Sequence, residues 1–374
     1  MGGSVNIYII LKLFLLFTFI CCGYGISKGK KEHYWLYSGI AILFYSIIQG
    51  LRYGRGVDYL HYKFQYEHIE VYTDYREWGF VILNKFFNVL DLPYYIVFVF
   101  YSFILVLSLF ILLKQYREIA VYFLPIFLIV TIGHSENLIR QYIGFSFVYL
   151  SFLFLMKDRL WKCFLFIFIG FLFHSSCVVL LPFFLLFKYI KIPFKSPYLL
   201  IAIYLVVFFF WKIEYWKDYI IYLQFLDSGG GGQFSAYIEN AERWFSEEGS
   251  LGVSQSIIFI FRELVSRVIL IYWGAKLLDK NHRFQIPFFL FYISVIALRM
   301  AFDIEIIFRI AHWFSFFEIF VAGFVLTYTE RNTIITKCAM WFLIFHYMYS
   351  YISPFLSVGS QDCMFVWDVQ SFGI

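Results

Sequence analysis

Apolar runs close to the length of a membrane crossing recur along almost the whole chain, each ended by a short polar or basic connection. A helix needs ~20 such residues to cross ~30 Å of hydrocarbon. Inside lipid every backbone N–H and C=O must be paired within the protein, which leaves helices or a closed barrel. The runs are continuous and do not alternate, so they predict helices. Composition agrees: of 374 residues, 62% are hydrophobic, 25% aromatic and only 15% charged. A soluble domain has about a quarter of its residues charged, and a chain of this size has no water-shielded interior for the surplus. The expected fold class is therefore all-α. It is a polytopic transmembrane helical bundle of about twelve spans (roughly eleven to thirteen), one integral membrane domain over residues 1–374.

The expected spans are Asn6–Gly25, Tyr34–Leu51, Pro93–Leu113, Ile119–Gly133, Leu138–Met156, Trp161–Phe173 and Ser175–Phe187. They continue with Tyr198–Trp211, Ser256–Leu278, Ile286–Met300, Ile306–Thr327 and Ile334–Tyr351. Residues Trp161–Phe187 read either as two short spans meeting at His174 or as one long tilted helix. The amphipathic stretch Gly79–Leu92 reads as interfacial or re-entrant. The first apolar run has no basic residue before Lys12 and Ile20 precedes Cys21, which argues for an uncleaved span rather than a signal peptide.

Orientation comes from the connections. Lys28, Lys30 and Lys31, then Lys114 and Arg117, Lys157, Arg159 and Lys162, Lys188, Lys191 and Lys195, Lys276, Lys280 and Arg283, and Arg331 with Lys337 all fall on one face of this arrangement. By the positive-inside rule that face is cytoplasmic. The long polar segments 52–78 and 212–255 then lie outside, the second with the flexible run Gly229–Gly232. The net charge of +5 is spread in small groups and does not suggest a nucleic-acid surface. Six cysteines without CxxC spacing read as small buried hydrophobes.

The polar residues that remain are grouped. Arg52, Arg55 and Asp58 follow the second span with glycines between them, where a backbone can approach a ligand and a guanidinium fork fits phosphate oxygens. An interfacial Arg–Asp ion pair accounts for them equally well. Glu136 and Arg140 stand four apart at the start of the fifth span and could pair with each other, yet an arginine entering a span usually marks a site. His174, between two apolar runs, could accept a proton near neutral pH or merely satisfy a neighbour. It has no ligand-spaced partner for a metal. Arg299, Asp303 and Glu305 precede Arg309 and His312; local pairing accounts for the first three better than for His312. Glu263 and Arg267 read as a structural intramembrane pair, with Arg262 unassigned.

In this topology Arg52, Arg55, Asp58, Arg140, His174, Arg299 and Arg309 reach one outer leaflet. Several cations with one or two candidate bases suit an anionic, lipid-linked substrate, and the aromatic residues offer flat surfaces for lipid and sugar rings.

The stretches RYGRGVDYLHY, ENLIRQYIGFSFVYLS, FLFHSS and FRIAHWFSFFEIFVAGFVL stand in the order seen in the EpsG-like branch of the Wzy-type polysaccharide polymerases, which the chain resembles from about Arg52 to Thr327. The resemblance implies a bacterial inner-membrane glycosyltransferase whose site faces the periplasm or exterior. Such an enzyme joins undecaprenyl-diphosphate-linked repeat units into O-antigen, capsule or exopolysaccharide. Carried over motif by motif, it implies diphosphate binding by Arg52, Arg55, Arg140 and Arg309. Asp58 and His174 are the catalytic candidates, with Arg299 and His312 in support. It calls for no metal or other cofactor, no nucleic acid, and membrane lipid and a lipid-linked glycan as partners; a separate chain-length regulator is left open. The segment 212–255 matches no family pattern and could carry acceptor specificity. Two rival readings stand beside it: a GT-C glycosyltransferase using a lipid-phosphate sugar, with Asp58 as its external acid, and a lipid-linked glycan flippase without covalent chemistry. A membrane acyltransferase rests on His174 alone.

Overall fold

A computed structural model describes residues 2–71, 77–190, 194–211, 257–301, 305–356 and 363–368. Among them the chain is helical, with one isolated antiparallel bridge between Arg52 and Phe365. The helices are α1 (Gly2–Lys28), α2 (Tyr34–Gly50), α3 (Tyr59–Glu67), α4 (Trp78–Val89), α5 (Tyr94–Leu113), α6 (Ala120–Asn137) and α7 (Ile139–Met156). They continue as α8 (Leu160–Phe173), α9 (Leu180–Tyr189), α10 (Pro197–Phe210), α11 (Ile257–Leu277), α12 (Gln285–Met300), α13 (Glu305–Tyr328) and α14 (Ile334–Ile352). Each expected span has its helix, and the protein is an all-α polytopic bundle. Among the described residues, five stretches are long and apolar enough to cross a membrane by length and composition: Val5–Lys28, Tyr94–Asn137, Ile139–Met156, His282–Met300 and Phe308–Tyr328.

The ambiguous region around His174 resolves into two pieces. α8 stops at Phe173, His174 is extended (φ −158°, ψ 106°), and a short 3-10 turn, Ser175–Val179, leads into α9. The amphipathic stretch after residue 78 is α4. The expected external segment 212–255 lies outside the described residues, as does Asp303.

The chain divides into two compact units, residues 1–186 with 322–374, and residues 187–321. In the first, α1 packs on α2 and α6, α2 on α5, α5 on α7, and α7 on α8. Lipid is as apolar as a leucine side chain, so close packing and interhelical hydrogen bonds hold such helices together. Ser27 donates to the Glu118 carbonyl at 2.9 Å, Ser151 to the Cys163 carbonyl at 2.9 Å and Tyr351 to the Lys12 carbonyl at 2.7 Å. Bonds of this kind contribute on average about 0.6 kcal/mol each. No disulfide forms among the described residues; Cys22, Cys163, Cys177 and Cys363 are buried, as small hydrophobes would be, whereas Cys21 and Cys338 are exposed.

In the second unit α10 packs on α11 and α12. Arg267 meets Glu263 at 3.2 Å, the expected pair, and also the buried Glu318 of α13. Arg299 donates twice to the Phe208 carbonyl, at 3.2 and 3.0 Å.

The loop from Leu51 to Asp58 is fixed at both edges. Tyr53 N–H donates to Met364 O at 2.9 Å and Val366 N–H to Leu51 O at 3.0 Å, so the segment 363–368 lies along it. Gly54 and Gly56 have φ of +68° and +93°. A Cβ at Gly56 would also lie 2.5 Å from the Glu136 carbonyl oxygen and 2.9 Å from Asn137 Cα, whereas one at Gly54 meets nothing within 4 Å. Gly54→Ala should therefore cost about 1–2 kcal/mol, the ordinary left-handed penalty. Gly56→Ala should cost clearly more, because the loop must also move off the end of α6. Unfolding of the two variants in detergent micelles checks the order; equal losses would refute the packing argument.

Candidate functional site

The break between α6 and α7 organises the polar residues of the first unit. α6 ends at Asn137, Leu138 leaves the helical region (φ −90°, ψ 55°), and α7 starts at Ile139. Glu136 and Arg140 therefore sit on different helices. The four-residue spacing that suggested a Glu136–Arg140 pair does not describe them, because that geometry needs a continuous helix. Each has another partner, and two clusters result.

The first cluster is buried. Lys12, from the middle of α1, places Nζ 2.6 Å from Glu136 Oε1 and donates to Gln49 Oε1 at 3.4 Å. Arg55 Nη1 is 3.5 Å from the same carboxylate oxygen. Its guanidinium lies between two rings, 4.9 Å from the Tyr8 centroid and 4.7 Å from that of Phe365. Arg52 donates to the Glu136 carbonyl at 3.2 Å and to the Gln49 carbonyl, and its own carbonyl accepts from the Tyr59 hydroxyl at 2.8 Å. Arg52 and Arg55 are each 3% exposed. Both turn to Glu136, not to Asp58, so the anticipated local Arg–Asp pair is replaced by a long-range one. Lys12 and Arg55 share the Glu136 carboxylate while Arg52 takes that residue's backbone carbonyl, so three cations gather around one carboxylate and the cluster keeps an excess of positive charge.

The second cluster is open. Arg140 Nη1 pairs with Glu77 Oε2 at 2.8 Å, and the other oxygen of Glu77 lies 3.9 Å from His174 Nδ1. Side-chain exposures of 29% for Arg140, 14% for Glu77 and 22% for His174 leave the group accessible without stripping its order. Arg140 Nε donates to the Tyr62 hydroxyl at 3.4 Å, and its guanidinium lies 5.5 Å from the Tyr62 ring and 5.8 Å from Phe80. Burial pushes the Tyr62 phenol above its usual pKa, and the Arg140 charge opposes that shift. Ser176 Oγ is 3.0 Å from His174 Nδ1. α3 supplies Tyr62, the start of α4 Glu77, the start of α7 Arg140, and the gap after α8 His174.

Asp58 stands at the start of α3, its backbone N–H donating to Asn137 Oδ1 at 3.0 Å. That bond ties the loop of the first cluster to the break that carries the second. Arg299, Arg309 and His312 belong to the second unit. Arg309 and His312 share α13, where His312 is buried, stacks on Phe308 at 5.9 Å and takes Ser315 as a partner at 3.2 Å. The anticipated pairings of Arg299 with Asp303 and of Glu305 with Arg309 fall outside the described side chains.

Sequence reasoning missed Lys12 and Glu77. Lys12 carried a signal, a charge inside an apolar run, which is costly unless paired. Glu77 stands in a segment rich in Glu and Asp and carried none. Removing the carboxylate would leave two buried cations, Lys12 and Arg55, without their partner, so Glu136→Gln should destabilise the protein by about 3–5 kcal/mol. Glu77→Gln, at a partly exposed site, should cost less, about 1–3 kcal/mol. Chemical unfolding in micelles reads both, and a Glu136→Gln loss no larger than that of Glu77→Gln would contradict the assignment.

The sequence model of the EpsG family matches residues 34–363, and the chain belongs to that family. No curated protein and no solved structure matches it. Membership makes this chain a polysaccharide-polymerase-like integral membrane protein, glycosyltransferase-like at the family level and concerned with polysaccharide biosynthesis.

Proposed function

We propose that this member of the EpsG family joins undecaprenyl-diphosphate-linked oligosaccharide repeat units at the outer face of a bacterial inner membrane, building O-antigen, capsule or exopolysaccharide. The observation that carries this reading is the meeting of Arg140 and His174 on Glu77, a cation and a base held by one carboxylate in a partly open site.

In the reaction the acceptor hydroxyl of one lipid-linked unit attacks the anomeric carbon of the growing chain. The C–O bond to the diphosphate breaks, and the leaving group departs with the electron pair. Arg140 meets the charge developing on that diphosphate, the kind of interaction that grows in the transition state. Arg52 and Arg55 act from behind, through the positive field of the buried cluster. The hydroxyl proton passes to His174 Nε2, while Nδ1 faces Ser176 and Glu77, which stabilises the imidazolium. Asp58 is the alternative base. The reading routes no step through a metal.

Product analysis separates the rivals. Deleting the gene in its host should collapse the lipid-linked glycan ladder to a single repeat unit, and wild type should restore it. Arg140→Ala should lower polymerisation about 10²–10³-fold, and His174→Ala about 10²–10⁴-fold, with both proteins present in the membrane at normal levels. Full-length polymer lacking one sugar would instead mark a GT-C transferase. Substrate trapped on the cytoplasmic leaflet would mark a flippase.

A further inference from the structure

The helix pair α2–α5 separates two faces of different chemistry. On one side Gln49, Arg52 and Ser102, with Phe98, Leu105 and Ile139, help to line a small cavity of mixed polarity, ≈ 20 Å³. On the other an open apolar groove of ≈ 510 Å³ runs along α2 from Gly39 past Leu43 to Ile47, and along α5 past Ile96 and Phe100. Its length is roughly 12 Å along α2, at ~1.5 Å per residue. The Ser46 hydroxyl on its wall already donates to the Ile42 carbonyl at 2.7 Å. The groove therefore asks nothing polar of an occupant.

Gly39 is the informative residue. A glycine inside a helix costs about 1 kcal/mol relative to alanine, and in membrane helices it usually serves close helix contact. Gly50 does so, its Cα packing against Val99. At Gly39 a Cβ would meet nothing within 4 Å. This glycine keeps a space open rather than closing one.

We infer that the α2–α5 groove seats the polyprenyl tail of the lipid-linked substrate, an inference that rests on the proposed function. Charge at one end selects this occupant over a bulk phospholipid. The loop leaving α2 carries Arg52 and Arg55, which together with Lys12 outnumber the carboxylates of Glu136 and Asp58 beside them; Lys63 pairs with Glu67 at 2.8 Å. Lys63 Nζ stands 5.0 Å from the ring of Tyr94, the first residue of α5, two residues before Ile96 of the groove wall. A doubly charged diphosphate gains more from that end than a zwitterionic or singly charged headgroup. A tail lying along α2 and α5 brings its headgroup to the loop that Asn137 ties to the Arg140 helix.

The test fills the groove from its glycine. Purified protein in nanodiscs is assayed with repeat units on a full-length polyprenyl diphosphate and on a carrier of two isoprene units. Gly39→Phe should raise KM for the long carrier about tenfold with kcat unchanged, and leave both constants for the short carrier at wild-type values. Leu43→Trp, at an exposed position, should behave the same and guards against misfolding of the first variant. Wild-type constants in both variants would overturn the inference. A photoactivatable polyprenyl diphosphate should label α2 and α5 peptides, be competed by unlabelled polyprenyl diphosphate and be lost in Gly39→Phe. Competition by phosphatidylglycerol, or a covalent dimer through α2, would overturn it. The two readings fail separately: labelling without polymerisation removes the catalytic reading and leaves the groove, and polymerisation without labelling does the reverse.

Discussion

Cationic side chains inside an apolar bundle have to find countercharge, and Lys12 and Arg55 both find it at Glu136. The consequences reach well beyond the pair. Because Lys12 comes from α1, Arg55 from the loop after α2 and Glu136 from α6, one carboxylate fixes three separate parts of the first unit. Arg52, from the same loop as Arg55, adds a third tie through the Glu136 carbonyl. A buried charge without its partner costs several kcal/mol, so these elements have a strong reason to meet in one arrangement only. Around that point the aromatic rings of Tyr8 and Phe365 close over Arg55 and replace the water that a guanidinium would otherwise keep.

The break after Asn137 turns this structural knot into the back wall of an accessible group. Had α6 continued, Glu136 and Arg140 would have neutralised each other on one helix face. The change of direction at Leu138 sends the carboxylate to the buried cluster and gives the guanidinium to Glu77 and His174. The buried cluster keeps surplus positive charge, while the open one holds a cation, a carboxylate and an imidazole within reach of solvent. For a reaction that expels a diphosphate, that is a useful division. One set of charges stays fixed and acts at a distance, and the other can exchange partners with substrate.

Much of the fold was legible because each membrane helix announces itself as an apolar run, and the runs end at charges. The interruption at His174 was only half legible: the apolar character lapses over His174–Ser176, yet one long tilted helix fitted the run as well. Contacts were harder. The Glu136–Arg140 spacing looked like an ordinary helical pair because no glycine or proline marks Leu138 as a break. Arg52 and Arg55 were recognised as unusual, but their burial depends on Phe365, far along the chain, whose segment gives no local sign of where it will lie. Glu77 stands beyond a run holding Glu67, Glu70 and Asp74, and nothing in the one-dimensional record separates it from them. Only the packing of α4 beside α8 gives it significance.

The position of Lys12 also dictates an order of assembly. The lysine and its carboxylate are 124 residues apart, so at roughly 5–20 residues per second of synthesis the first helix waits roughly 6–25 s for its partner. During that interval an ammonium group sits in a nascent span at an insertion cost of about 2.5–3.5 kcal/mol. The apolar remainder of Val5–Lys28 outweighs that cost, but the ammonium has no countercharge until α6 arrives. Capture by Glu136 then fixes α1 in place, so this helix is made well before it is secured.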